Sequence, residues 1–254
     1  MCRNLCYNIL MKNNRTLLIS LIVIVALFIG AIIIVPQVTK KTEETPAVDI
    51  STYDTTKFID ANDDNGQIAD HVKGADLKTA KVIIFEYADY QCSGCATVNP
   101  WIKELLKEYD GKLAIIYRNY PLTSIHPNAI AAASAVEAAG LQGYWEEMGD
   151  LLFANQAEWF YSTGDARTNY FVNYFTSVSK GAGDVAQFKS DLASDRVKAK
   201  VNFDKAISES YKLSATPSFI DENGKEIDWT SDVEQTKTGI QAFFRNYINK
   251  KLGK

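Results

Sequence analysis

Three consecutive segments around residue 90 constrain the fold most: a strand, a closely spaced pair of cysteines and a helix. The run KVIIFEY, residues 81–87, is apolar and rich in β-branched side chains, which predicts a buried strand. Cys92 and Cys95 follow it, separated only by Ser93 and Gly94. The next segment, ATVNPWIKELLKEY, repeats its apolar residues at helical spacing, and KLAIIYRNYPL predicts a second strand. Strand, helix and strand joined by short connections predict a βαβ unit in an α/β fold.

The second half of the chain is dominated by helical patterns. Strand signals nearly vanish over residues 125–212, where segments such as AIAAASAVEAAG and GYWEEMGDLLFANQ favour helix. Sheet patterns return in PSFID and KEIDW, which a hairpin signal at Asn223-Gly224 joins. A closing helix is predicted over Val233–Lys251. The sequence therefore predicts a helical block inserted between two parts of one sheet.

The N-terminal part contains a run of nineteen residues without a charge, residues 17–35. At about 1.5 Å per residue this run just spans a hydrocarbon core of roughly 30 Å, which predicts a membrane helix. Lys12 and Arg15 precede it, so residues 1–16 are expected in the cytoplasm and the rest outside. A cleaved secretory signal is the alternative, but the run is longer than usual and no small-x-small site follows it. We expect a single-pass protein of the cell membrane.

Residues 36–66 are rich in Thr, Asp, Lys and Glu and poor in periodic apolar residues, so they are predicted to be a linker. Asp60, Asn62 and Asp64 imitate the start of a calcium loop, but the glycine and the glutamate of such a loop are missing. Residues 36–254 hold 24 basic and 31 acidic residues, a net charge of −7 that argues against a nucleic-acid partner.

The two cysteines of the exported part, Cys92 and Cys95, have three possible roles. A bridge across two residues closes a very short loop and stabilises little, so a structural disulfide explains the pair poorly. A zinc site needs about four ligands, and outside this pair only His71 and His126 are available, so no metal is expected. The third role is redox chemistry. The other two cysteines lie in the cytoplasmic segment, where we expect them to be idle; Met11 is an alternative start that would remove them.

A redox role has a physical basis in the position of the pair. Cys92 falls where the loop ends and the helix begins, so its sulfur meets unpaired backbone N–H groups and the positive end of the helix dipole. Such a position lowers the pKa of a thiol from about 8.5 into a range of roughly 3.5 to 7.5, which makes Cys92 the nucleophile. Cys95 lies one turn further on and would resolve the mixed disulfide.

Four features in order make the chain similar to the DsbA-like, membrane-anchored thiol-disulfide oxidoreductases of the thioredoxin superfamily. FEYADYQCSGC resembles the family's entry into its CxxC motif, and Pro100 stands where the family's first helix is kinked. AAASAVEAAGLQGYWEEMGDLLFANQ resembles the inserted helical block, and SATPSF resembles the loop with the cis-proline. The resemblance covers residues 67–254 and implies a thioredoxin fold with a helical insertion at about 125–212, preceded by the transmembrane helix.

The resemblance implies roles for three further residues. Glu86 would take or return the proton of Cys95 through water, since burial raises the pKa of a carboxyl; a solvent-facing carboxylate is the alternative. Thr216-Pro217 would be a cis bond, with the Thr216 backbone pairing with an extended substrate segment; an ordinary trans turn is the alternative. His126 is expected to be a packing residue.

The motif departs from the family at Ser93-Gly94, which lacks the histidine of DsbA and the proline common in the group. Less stabilisation of the thiolate means a less oxidising disulfide, so the resemblance leaves the direction of electron flow open. We expect an oxidase that introduces disulfide bonds into exported, cysteine-containing proteins without a cofactor. A quinone-linked membrane oxidase of the DsbB or vitamin K epoxide reductase type would regenerate it. The alternatives are a membrane-anchored reductase or isomerase, and a redox-inert peptide-binding module.

Overall fold

The structure is a computed structural model, which describes residues 48–231 and 233–254. The predicted cytoplasmic segment 1–16, the predicted membrane helix 17–35 and the first part of the predicted linker lie outside these residues. Among the helices of the described part, none has the length and the apolar character needed to cross a bilayer.

A mixed sheet of four strands forms the centre of the fold. The strands are β1 (His71–Gly74), β2 (Val82–Ala88), β3 (Leu113–Asn119) and β4 (Ser218–Asp221), in the spatial order β1-β3-β2-β4. β2 and β3 are parallel, as the βαβ prediction requires, and β1 and β4 pair antiparallel to them. The central position of β2 matters for the site, because the cysteine pair follows this strand.

Two helices cover one face of the sheet. Helix α1 (Ser93–Glu108) connects β2 to β3, with Pro100 inside it, and the last helix, α8 (Lys237–Lys251), packs beside it. Apolar side chains that alternate along β2 point at α1, because successive residues of a strand face opposite sides of the sheet. The core of this face includes the buried residues Val82, Ile84, Ile102, Leu105, Phe219, Phe244 and Ile248.

The predicted helical block is present between β3 and β4. Helix α2 of this block is rich in alanine, and its small buried side chains allow close approach of its neighbours. A thioredoxin-like α/β fold with a helical insertion is thus confirmed. The six helices of the block are α2 (Ala129–Gly140), α3 (Trp145–Ala154), α4 (Gln156–Trp159), α5 (Gly164–Val178), α6 (Val185–Asp191) and α7 (Asp195–Ser210).

The part of the predicted linker that the structure describes, residues 48–66, packs against the sheet instead of extending into solvent. Ile59 is buried, and the Arg118 guanidinium on β3 donates to the carbonyl oxygens of Thr55 and Lys57, each over 2.7 Å. The sequence does not predict this packing, because the apolar side chains of these residues follow no regular period. The side chains that join the core beneath β2 and β3 are Val48, Ile50, Tyr53, Phe58 and Ile59.

Two predicted elements near the C-terminus differ from the structure: one strand is absent from the described residues and one helix is shorter. KEIDW forms no strand; it contributes one isolated bridge, Ile220 to Glu226, although the predicted turn before it is present. Helix α8 begins at Lys237 and not at Val233, because the Thr236 side chain accepts a hydrogen bond from a first-turn N–H and caps the helix there.

A buried group of charged side chains joins β3, α2, α7 and the segment before β1. Asp70 accepts hydrogen bonds from Arg118 over 2.7 Å and from Lys200 over 3.1 Å, and Lys200 pairs with Asp204 over 2.7 Å. Glu137 belongs to the same group, because Asn119 of β3 donates hydrogen bonds to both Glu137 and Asp204. Burial by itself raises the pKa of Asp70, but the charges of Lys200 and Arg118 outweigh burial and hold that pKa below its ordinary value.

Candidate active site

Cys92 stands at the amino end of α1 and Cys95 lies one turn inside it. The backbone of Cys92 is extended, at φ −75° and ψ 123°, and its carbonyl oxygen accepts the N–H of Ala96 over 3.1 Å, which starts the helix. Cys92 is partly exposed, whereas Cys95 is buried among the helical block and the sheet. The accessible sulfur is therefore the one at the end of the helix, where the sequence analysis placed the nucleophile.

The surroundings of Cys92 favour its thiolate. Its pKa falls to about 5, chiefly because the Cys95 thiol donates a hydrogen bond to it. Partial burial opposes this change, while the Thr216 side chain and the backbone N–H groups of Cys95 and Gly94 support it. The Thr216 hydroxyl is buried and has no hydrogen-bond partner within the described part of the chain, so its proton is available to the sulfur.

Cys95 has the opposite properties. Burial raises the pKa of its thiol well above the ordinary value, and the neighbouring Cys92 sulfur raises it further. At neutral pH the pair therefore holds one thiolate, on the accessible sulfur, and one thiol, on the buried sulfur. This division of one proton suits an exchange reaction in which Cys92 leaves a mixed disulfide as a stable thiolate.

The loop before β4 lies directly against Cys92. The bond between Thr216 and Pro217 is cis, and the carbonyl oxygen of Thr216 is 3.2 Å from the Cys92 sulfur. A side-chain carbon built on Gly94 would lie 3.5 Å from the Cys92 sulfur, from Pro217 and from Thr216, so Gly94 sits between the two loops. Ser93 is exposed beside them. The structure thus brings together the cysteine pair and the Thr216-Pro217 loop.

Glu86 lies on β2, under α1, and is only 1% exposed. Since β2 has a neighbouring strand on each side, Glu86 is not the solvent-facing carboxylate that was the alternative. Burial raises its pKa, opposed by the positive charge of Lys73, and its Oε2 atom has no hydrogen-bond partner. A buried carboxyl of raised pKa on the same side of the sheet as Cys95 has the properties that the predicted proton transfer needs.

Lys73 is a residue of this region that the sequence analysis missed. It is buried on the edge strand β1, and its ammonium group lies 5.2 Å from the Tyr117 ring centroid and 5.3 Å from that of Trp145. It donates to Asn99 of α1 over 3.2 Å. A single lysine in a four-residue strand gives no recognisable pattern, so only the fold reveals that its charge acts on Glu86.

The helical block also holds the active-site loop through amide side chains. Gln156, the first residue of α4, donates to the carbonyl oxygen of Tyr90 over 2.8 Å and to that of Cys92 over 3.0 Å. Gln91 accepts the N–H of Asn128 over 2.6 Å. These contacts connect residues far apart in the chain, and no sequence signal indicates them.

Among the solved structures that share the fold, three illustrate the similarity. One is BdbD from Bacillus subtilis in its oxidised form, with a TM-score of 0.59 and 18% identity, covering 78% of this chain and 98% of that one. Another is α-DsbA1 from Wolbachia pipientis, with a TM-score of 0.56 and 22% identity, covering 72% and 91%. A thioredoxin-like oxidoreductase from Silicibacter pomeroyi has a TM-score of 0.55 and 21% identity, covering 73% and 93%.

Similarity is also found at the level of sequence, both to a family model and to curated proteins. The sequence model of a family described as Thioredoxin matches residues 67–242. Among curated proteins, the chain is 31% identical over 175 residues to the Na(+)/H(+) antiporter NhaA 1 of Salinispora arenicola, covering 69% of this chain and 25% of that protein. It is 34% identical over 158 residues to NhaA 1 of Mycolicibacterium gilvum, covering 61% and 24%. The chain spans about a quarter of the length of these curated relatives.

Proposed function

We propose a function from one premise: this chain belongs to the thioredoxin family, and its fold is that of the DsbA-like enzymes. Family and fold support the predicted enzyme class, thiol-disulfide oxidoreductase. Within that class, we propose an oxidase that donates the Cys92–Cys95 disulfide to exported proteins. The observation that carries the proposal is the division of properties in the pair, an accessible Cys92 with a pKa of about 5 and a buried Cys95 whose pKa is raised.

The pKa of Cys92 supports the oxidising direction. Whatever stabilises the thiolate stabilises the reduced form and so makes the disulfide a stronger oxidant. A pKa of about 5 lies between the values of about 3.5 for DsbA and about 7 for thioredoxin. The Ser93-Gly94 pair provides no histidine for this purpose. In its place, the Cys95 thiol, the Thr216 side chain and the first backbone N–H groups of α1 lower the pKa.

The reaction follows from the two sulfur positions. A substrate thiolate attacks the sulfur of Cys92, the Cys92–Cys95 bond breaks, and the electron pair leaves on Cys95. A second substrate thiolate then attacks the substrate sulfur of the mixed disulfide and releases Cys92 as a thiolate. The substrate loses two electrons and gains a disulfide, and the enzyme pair gains the two electrons. Glu86 supplies the proton that Cys95 takes up and recovers it from solvent.

The loop beside Cys92 is proposed to hold the substrate. The backbone of Thr216 would pair with an extended substrate segment and present its cysteine to the Cys92 sulfur. A cavity of about 370 Å³ opens beside Pro217 and is lined in part by Ala215, Glu226 and Trp229, which gives a substrate side chain room next to this loop.

The location and the partner belong to the same proposal. Disulfides persist outside the cytoplasm, so an oxidase has to act there. Residues 17–35 would anchor the chain in the cell membrane, with the thioredoxin-like domain on the extracytoplasmic side. Each cycle leaves the pair reduced, so a membrane thiol oxidase linked to quinones, of the DsbB or vitamin K epoxide reductase type, would return it to the disulfide.

The test measures both activity and direction. The full-length chain in detergent is oxidised and mixed with a reduced, unfolded protein that has two cysteines, and disulfide formation in that protein is followed with time. Cys92→Ser and Cys95→Ser are the matched controls, because each replaces one sulfur by an oxygen with little change in size. The potential of the pair is then measured by equilibration with glutathione.

Each reading predicts a different result. An oxidase transfers its disulfide rapidly, and its potential lies nearer to the DsbA value of about −120 mV than to the thioredoxin value. A potential near the thioredoxin value of about −270 mV would contradict the oxidase and support a reductase or isomerase. Peptide binding that persists without any exchange in the unaltered chain would leave only the redox-inert module.

A further inference from the structure

The carboxylate of Asp89, three residues before Cys92, is buried and fully engaged in hydrogen bonds. Its Oδ1 atom accepts the N–H of Gln91 over 2.8 Å, and its Oδ2 atom accepts the N–H of Leu122 over 2.9 Å. Oδ2 also contacts Nδ1 of His126 over 2.8 Å. Two backbone N–H groups already donate to this side chain, so we assign Nδ1 of His126 as a further donor to it.

The backbone of the same residue touches both cysteines. The carbonyl oxygen of Asp89 accepts the N–H of Cys92 over 3.0 Å. The N–H group of Asp89 donates a hydrogen bond to the buried sulfur of Cys95 over 3.5 Å. The backbone of this one residue therefore fixes both the start of the helix and a donor to the leaving sulfur.

His126 holds the carboxylate through Oδ2, the same oxygen that accepts the N–H of Leu122. It lies in the turn after β3, where its own N–H donates to the carbonyl oxygen of Leu122 over 2.9 Å. Its side chain is 14% exposed and its ring packs against Phe160 of the helical block. The imidazole is thereby held in place by two parts of the fold, and so is the Asp89 side chain that it contacts.

We infer that Asp89 and His126 are positioning residues, which together hold the N–H of Asp89 against the sulfur of Cys95. The inference rests on the proposed function, because only in disulfide exchange does Cys95 become a leaving group. When the Cys92–Cys95 bond breaks, negative charge develops on Cys95, and a fixed N–H donor stabilises that charge at the moment it forms. In the resting reduced protein Cys95 is a neutral thiol and gains much less from the same donor.

The donor stabilises a developing thiolate more than a neutral thiol. Its loss should therefore lower the rate of attack on the disulfide more than it changes the equilibrium constant with glutathione. Loss of one hydrogen bond to a developing thiolate slows the attack by about tenfold. The equilibrium between the protein and glutathione compares the intact disulfide with the neutral Cys95 thiol, so it changes by less than the rate does. A residue that only supports the fold would lower thermal stability and would give no such separation.

The experiment uses the full-length oxidised chain in detergent and reduced glutathione as the attacking thiol. Asp89→Asn removes one acceptor oxygen with little change in size, and His126→Ala removes the donor. His126→Asn restores an N–H near the position of Nδ1. Asp184→Asn is the matched control, because Asp184 caps α6 with the same kind of bond, on another part of the fold. Rates of attack, equilibrium constants with glutathione and melting temperatures are measured for each.

We expect attack about tenfold slower in Asp89→Asn and in His126→Ala, recovery of most of that rate in His126→Asn, and no change in Asp184→Asn. Attack at the unaltered rate in Asp89→Asn and His126→Ala would refute the inference and leave the proposed function intact. Equal losses in rate, equilibrium constant and melting temperature would also refute it, in favour of a purely structural role. Failure of the unaltered chain to react with glutathione would refute the proposed function and the inference together.

Discussion

The low pKa of Cys92 predicts that the stability of the reduced protein depends on pH through this one sulfur. In the folded state the pKa is about 5, whereas an unfolded cysteine has a pKa of about 8.5. The folded value is depressed, so the contribution to stability is fully present above pH 8.5 and is lost as the pH falls through 5. Lowering the pH from 8 to 4 is therefore the perturbation.

The size of the effect follows from the same two values. The difference between about 5 and about 8.5 corresponds to about 5 kcal/mol of preference for the thiolate in the folded state. Cys92 is partly exposed, and solvent screening reduces such contributions, so we retain about half. We expect the thiolate to contribute about 2 kcal/mol to the free energy of unfolding at pH 8 and none at pH 4.

The assay compares the reduced chain with Cys92→Ser by urea unfolding at several pH values, so that all other titrating groups nearly cancel. Thiolate absorbance at 240 nm, with the same variant as the blank, gives the midpoint directly. A stability difference that stays constant from pH 4 to 8, or a midpoint near 8.5, would refute the interpretation of Cys92 as a stabilised thiolate.

Three further predictions concern other buried side chains. Glu86→Gln removes the carboxyl that is proposed to supply a proton to Cys95, so we expect disulfide exchange to slow about 100-fold in single-turnover kinetics, with alkylation of the accessible thiol unchanged. Asp70→Asn leaves the buried Arg118 without its anionic partner, and urea unfolding is expected to show a loss of about 3–5 kcal/mol. Ile59→Ala leaves a cavity where the predicted linker packs on the sheet, and the same assay should show a loss of about 2–4 kcal/mol; no loss would mean that this segment does not stabilise the domain.

The sequence predicts those parts of the fold whose patterns are local. β2 and α1 differ in the spacing of their apolar residues, and α2 is marked by its composition, so each is identified within its own segment. β1 has only four residues, too few for a period to show. Residues 48–66 have apolar side chains at irregular intervals, and their packing depends on surfaces formed by distant strands.

The candidate site likewise contains residues that the sequence predicts and residues that it does not. Cys92 and Cys95 follow from a short motif at the start of a helix, and Pro217 from the resemblance of its loop. Lys73 and Gln156 could not be predicted, because they reach the site from a neighbouring strand and from the helical block through contacts that no spacing encodes.

The contacts of Arg118 affect where the domain can be cut. The family match begins at residue 67, yet two carbonyl oxygens that accept from this buried guanidinium belong to Thr55 and Lys57. A recombinant fragment that begins at residue 67 would lose both acceptors and uncover the apolar surface beneath the sheet. A fragment for crystallisation or enzymology should therefore start at residue 48 or earlier, since the cooperative folding unit is larger than the homologous region.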